Sequence, residues 1–189
     1  MPLAVAISTT GLDPEQDILL QLCLVAETEN IITRQISIFI RPDVTNTDLE
    51  EIEDKLEASN NREAILESSG IKIAKQAKLT LEELIDTGIG IKAAHRIFSG
   101  LVSRFGFPLL LVNEWVKEFL QAKQFSIPSE VVYVNSAIVE RYGQTFQKVP
   151  LHRKVEVLLE DKDLSYKIAT GDCLSKAYAL LKLFSLVSK

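Results

Sequence analysis

The sequence of 189 residues has only two cysteines and two histidines, and it is short of positive charge, with a net charge of −5. Cys23 and Cys173 lie far apart along the chain in unlike contexts, without the C-x-x-C spacing of a zinc or redox motif. They read as reduced, buried thiols, which excludes a disulfide-stapled scaffold and suits an intracellular protein. No apolar run is long enough to span a bilayer, so no membrane partner is expected. Met1-Pro2-Leu3 lacks the basic opening of a signal peptide. The expected location is cytoplasmic. The negative total argues against indiscriminate nucleic-acid binding, which needs cationic surface.

What is present is ordinary for one globular domain over residues 1–189: 47% hydrophobic and 25% charged. The charge is uneven. Residues 1–42 carry two basic and five acidic side chains, residues 43–67 two and nine, and residues 72–189 seventeen and twelve. A local basic groove in the last two thirds therefore remains compatible with the total.

Period and turn chemistry give the elements. Residues 3–8 form an apolar strand, 18–26 a second, and 31–40 a third that alternates through Ile36, Ile38 and Ile40. The short polar joint Glu27-Thr28-Glu29-Asn30 makes the second and third a hairpin, so the three form an antiparallel meander. Helices follow: Thr47-x-x-Glu50 with the stripe Leu49, Ile52 and Leu56, then Asn60-x-x-Glu63, then Thr80-x-x-Glu83, each opened by capping-type spacing. The stripe of the first must bury on the domain or on another protein. A helix over 93–105 presents Ala94, Ile97, Leu101 and Phe105. Residues 107–112 form a continuous apolar strand, which suits a sheet centre covered on both faces. Helix 114–124, a strand at 131–134, helices near 136–142 and 151–160, and a last apolar helix over 172–187 complete the chain. The expected fold is α/β, a mixed five-stranded sheet flanked by helices, with a helical insertion at 43–106 after strand three.

The stretch Ser8-Thr9-Thr10-Gly11-Leu12-Asp13-Pro14 after strand one resembles the opening of the DEDDh 3′–5′ exonucleases, the polymerase III epsilon-type proofreading subunits among them. Lys167-x-Ala169-x-x-Asp172-Cys173 followed by Ala177 is similar to their C-terminal motif. The likeness covers most of the chain outside about 43–106. It implies a ribonuclease H-like fold with strand one central, between strands two and four. In that family four carboxylates hold two metal ions about 4 Å apart around the scissile phosphate, and a histidine acts as general base. Here the first two carboxylate positions carry Ala6 and Ser8. The third falls on Val116, or on Lys117 with a one-residue gap, and the histidine falls on Lys167. Asp172 alone is retained. One carboxylate cannot organise a two-metal site, and Asp13, Glu15 and Asp17 lie too far along the turn to replace the others. His95 and His152 match no family position and read as surface or structural residues. The resemblance thus implies no intact catalytic residue and no metal or other cofactor; Mg²⁺ or Mn²⁺ belongs only to the competing reading of an active nuclease with displaced ligands. The family's nucleotide cradle corresponds to Thr9, Thr10, Gly11 and Leu12, with Leu12 as the wedge against a base. The same turn is also explained as a plain strand end, with Gly11 permissive and Asp13-Pro14 shaping the loop.

Gly88-Ile89-Gly90 with Ala94 and Ile97 resembles a helix-hairpin-helix, whose backbone N–H groups bind a phosphate without reading sequence. Lys92 and Arg96 would add charge there. Two other readings stand beside it: a glycine-broken helix pair, and the Gly-Ile segment that exonucleases carry after strand three. The function expected is a catalytically inactive exonuclease-like module that binds nucleic acid, single-stranded or at a 3′ end, or scaffolds a protein partner in a nucleic-acid-processing complex. An unrelated α/β interaction domain is the third alternative.

Overall fold

The computed structural model describes residues 1–29, 31–43, 51–58, 80–105 and 107–188. The expected helical features at Thr47 to Glu50, Leu49, and Asn60 to Gly70 lie outside the described residues. Strands β1 (Leu3–Thr9), β2 (Leu19–Thr28) and β3 (Ile31–Arg41) form the meander, antiparallel throughout, with Ala6 opposite Cys23 and Leu22 opposite Ile38. Helix α1 covers 51–58. Then come α2 (Leu81–Thr87), β4 (Ile89–Gly90), α3 (Ile91–Phe105), β5 (Leu109–Leu111), α4 (Glu114–Ala122), β6 (Val131–Tyr133), α5 (Val134–Tyr142), α6 (Leu151–Leu158), α7 (Lys162–Ala169) and α8 (Cys173–Val187).

Among the described residues the mixed sheet has six strands, in the order β4-β3-β2-β1-β5-β6, where five were expected. The addition is β4: Ile89 and Gly90, read from sequence as a helix break, pair in parallel with Ile40 and Arg41. Gly88 lets the chain approach that closely, because a Cβ there would stand 2.3 Å from the Leu84 carbonyl oxygen and 2.8 Å from the Arg41 nitrogen. Arg41 Nε then donates to the Gly88 carbonyl at 3.1 Å. Among the described strands only β2 runs opposite to the others. The carboxyl ends of β1, β3, β4, β5 and β6 therefore all lie at one edge of the sheet.

The period of two sorts the side chains into two cores. Leu3, Val5 and Ile7 of β1, Leu22 and Leu24 of β2, and Leu109 and Leu111 of β5 face α3 and α4 through Ala94, Phe98, Leu101, Val116 and Phe119. Ala4, Ala6, Cys23, Val25 and Leu110 face the other way, toward Ile138, Val155, Ile168 and the α8 residues Ala177, Leu180 and Leu181. The small alanines of β1 let α8 sit close to the sheet. On α3 the buried face includes Phe98 rather than the expected Ile97, which is half-buried. The stripe residues Ile52 and Leu56 bury against Leu20 and Leu84 of this same chain. Thr80 and Glu83 make the expected reciprocal cap on α2.

Helix α7 was not expected from sequence. Asp161 starts it by accepting from Leu164 N at 2.9 Å, and Lys182 Nζ of α8 donates to the same carboxylate at 2.9 Å. The Lys182 hydrogen bond, then the Leu164 N–H, hold the Asp161 carboxyl below its usual range. Cys23 and Cys173, distant in sequence, meet in space between β2 and α8, both buried and both free thiols. The Cys23 thiol and burial together push Cys173 well above the ordinary thiol range.

Candidate functional site

The turn after β1 closes on itself. Thr10 Oγ1 donates to Asp17 Oδ1 at 3.0 Å and accepts from Ile18 N at 2.9 Å. Asp13 N donates to Asp17 Oδ2 at 2.8 Å, and Thr9 Oγ1 donates to the Gly11 carbonyl at 2.6 Å. Asp17 is therefore consumed by the turn. A Cβ on Gly11 would stand 2.3 Å from Asp17 Oδ2, so Gly11 is required for that carboxylate to fit. Thr10 is 3% exposed, whereas Leu12 is 74% exposed and stands out from the turn. The Leu12 carbonyl accepts from Trp115 Nε1 at 2.8 Å, which ties the turn to α4.

Behind the turn lies a cavity of about 330 Å³ between β1, α4, α6, α7 and α8. Ala6 and Val116, far apart in sequence, both line it, beside Val5, Ile7, Val112, Leu151, Ile168 and Leu180. Among the described residues its polar lining consists of Asn113, Trp115, His152 and Lys176, with no carboxylate. Thus two of the positions mapped by the resemblance converge and the others do not. Ser8 is half-buried opposite Gln21 and does not line the cavity. Lys117, half-buried on α4, is also absent from the lining. Lys167 is exposed on α7, where Asp163 Oδ2 accepts from it at 2.9 Å; that bond raises the lysine's pKa. Its neighbour Ile168 is the residue that reaches the cavity.

Asp172 caps α8. Its Oδ1 accepts from Leu174 N at 3.1 Å and its Oδ2 from Ser175 Oγ at 2.5 Å. Both oxygens are thereby engaged within the first turn of the helix. Among the described residues, no group of three or more His, Cys, Asp or Glu side chains is placed to hold a metal ion.

Sequence reasoning missed Lys176 and set His152 aside. Lys176 is one turn beyond Asp172, the one charged residue in the first half of α8, and that isolation was the available signal. Among the described residues it forms no ion pair. His152 is half-buried; burial, then the Arg153 charge, push its pKa below the usual histidine value. Asn113 spends its Oδ1 on Val116 N at 3.4 Å, which caps α4 and leaves its amide N–H groups unused among the described residues. His95 stands apart, hydrogen-bonded to the Lys123 carbonyl at 2.8 Å and edge-on to Phe125.

Gly88, Ile89 and Gly90 are engaged on β3, and α3 starts directly after them. A Cβ on Gly90 would meet nothing within 4 Å, so only Gly88 is sterically required. Lys92 and Arg96 are exposed one turn apart on α3, and neither is paired among the described residues. Ile91 lines the same cleft as Gln16 and Asp17, so the start of α3 lies near the β1 turn. Both are at the carboxyl edge of the sheet, where ligands of open α/β folds bind. No helix among the described residues is long and apolar enough to cross a membrane. No protein-family model matches the chain, and no curated protein matches it.

Proposed function

We propose that this chain is a ribonuclease H-like, exonuclease-related module that binds a nucleic-acid end without cutting it. The observation that carries the reading is a shared sheet edge, the two segments standing on strands that β2 and β3 separate. Two segments picked out separately, Thr9 to Leu12 and Gly88 to Arg96, lie at one edge of the sheet with α4 beside them. The strand order, with β1 between antiparallel β2 and parallel β5, supports the same relationship. In this reading Leu12 presses on the terminal base, and Lys92 and Arg96 meet the backbone phosphates. The cavity behind the turn has alanine and valine where the relationship implies metal-binding carboxylates, so metal-dependent hydrolysis has no ligand set there.

The test is fluorescence anisotropy of a labelled single strand with a free 3′ end, repeated over a range of salt. Binding weakens with salt, and Lys92→Glu with Arg96→Glu lowers the slope by about 0.7 for each phosphate no longer neutralised. Leu12→Asp weakens end binding while leaving the fold intact. Equal affinity for the wild type, the double variant and Leu12→Asp would sink the reading.

A second use, protein scaffolding, is favoured by the start of β3. Ile31 is 66% and Ile32 38% exposed, and the described partner on that side of β3 reaches only Ile40 and Arg41. An open apolar strand edge is a ready pairing surface.

A further inference from the structure

We infer that the cavity behind the β1 turn is a small-molecule site for a monocarboxylate with a compact apolar body. Its walls are aliphatic: Val5, Ala6, Ile7, Val112, Ile168 and Leu180. Its volume, about 330 Å³, is at the small end of ligand pockets, enough for one ring or a short branched chain with one polar head. Among the described residues the fold brings to this space one cation, Lys176, and the neutral polar groups of His152 and the Asn113 amide, while Trp115 Nε1 is spent on the Leu12 carbonyl.

The charge count selects the head group. Lys176 has no ion pair among the described residues, and the acid nearest it in sequence, Asp172, has both oxygens engaged by Leu174 N and Ser175 Oγ. Lys176 is half-buried with its cation in the lining, so an anionic head group meets a positive charge there, and the interaction strengthens as the ligand excludes water. His152, held toward its neutral form, offers a hydrogen bond without a second charge. A dianionic phosphate monoester would leave one charge unmatched in the cavity. A nucleoside would bring many base and sugar polar atoms to a wall that offers few partners, and each unpaired one is costly to bury. A carboxylate on an aryl or branched aliphatic body leaves neither its charge nor its body unmatched. The site is separate from the strand-binding edge in its ligand and in its key residue.

The experiment is isothermal titration calorimetry of the full chain with phenylacetate and 4-methylpentanoate, beside phenylacetamide, phenyl phosphate and dithymidine monophosphate. Both carboxylates are expected to bind, with phenylacetamide and phenyl phosphate at least tenfold weaker. Lys176→Gln loses at least tenfold in carboxylate affinity at unchanged far-UV circular dichroism, and Lys176→Arg keeps most of it. Equal binding of the amide and the acid, no carboxylate binding by the wild type, or an unaffected Lys176→Gln overturns the assignment. So does displacement of phenylacetate by dithymidine monophosphate in a competition titration, which would give the cavity to a nucleic-acid strand. Should Lys176→Gln fail to fold, the acid–amide comparison on the wild type decides alone. Oligonucleotide anisotropy is measured separately, so failure of either proposal leaves the other readable.

Discussion

At the scale of single residues, the structure turns several apparent functional groups into structural ones. Asp17 and Asp172 are acids whose oxygens close a turn and cap a helix. Gly11→Ala drives a Cβ against the Asp17 carboxylate and is expected to cost about 1–3 kcal/mol, read by urea denaturation. His152 makes a pH-dependent contribution. Its folded pKa lies below 6.5, so in the window just under 6.5 the unfolded chain binds more protons and stability rises with pH. His152→Gln removes that rise, which melting temperatures taken between about pH 5 and 7 detect as a flatter profile. Lys154 is fully inaccessible, donates to Asn135 Oδ1 at 2.8 Å, and burial lowers its pKa.

At the scale of elements, periodicity and caps were the legible signals. The meander, the reciprocal cap on α2 and the apolar α8 all follow from them, because each is written within a short window. Helix α7 was not legible. Its sequence, KDLSYKIA, has a short mixed pattern, and it is held by a cap and by Lys182 from another helix. Asp161→Ala removes both contacts and is expected to cost about 0.5–2 kcal/mol at neutral pH. The folded Asp161 pKa lies below 3.8, so its contribution is full above 3.8 and fades as pH falls through the folded value. Chemical denaturation of wild type and variant at about pH 7 and pH 2.5 measures the difference closing. Strand β4 was missed for a related reason, since two residues carry no period and only the approach of Gly88 to β3 defines them. On the opposite face of the sheet, Phe98→Ala opens a cavity against Phe125 and is expected to cost about 3–5 kcal/mol by the same measurement.

At the scale of the whole molecule, the α/β class and the central position of β1 were legible, while the composition of the site was legible only in part. Ala6 and Val116 both line the cavity, whereas Lys167 is paired with Asp163 at the surface and the half-buried Lys176 is the lysine in the lining. A one-dimensional motif does not say which face of a helix turns inward, and α7 and α8 are short of flanking cues that would fix it. The same geometry predicts the result of restoring two carboxylates. On the proposed exonuclease relationship, Ala6→Asp with Ser8→Glu gives no hydrolysis, since position 8 does not line the cavity and the positions mapped to the third carboxylate and the base carry Val116 and Lys167. It also lowers the melting temperature, because position 6 is 6% exposed and an unpaired carboxylate there is costly. Digestion of DNA by that double variant would show that the mapped positions are wrong.

That a strand end is held and not cut is tested most directly on the wild-type chain itself. It is incubated with a 5′-labelled single strand in Mg²⁺ and then Mn²⁺, and anisotropy and strand length are followed in the same sample. Saturable, salt-sensitive binding is expected, with the strand at full length throughout. Shortening of the strand that requires the metal, or no change in anisotropy at low salt, would contradict it.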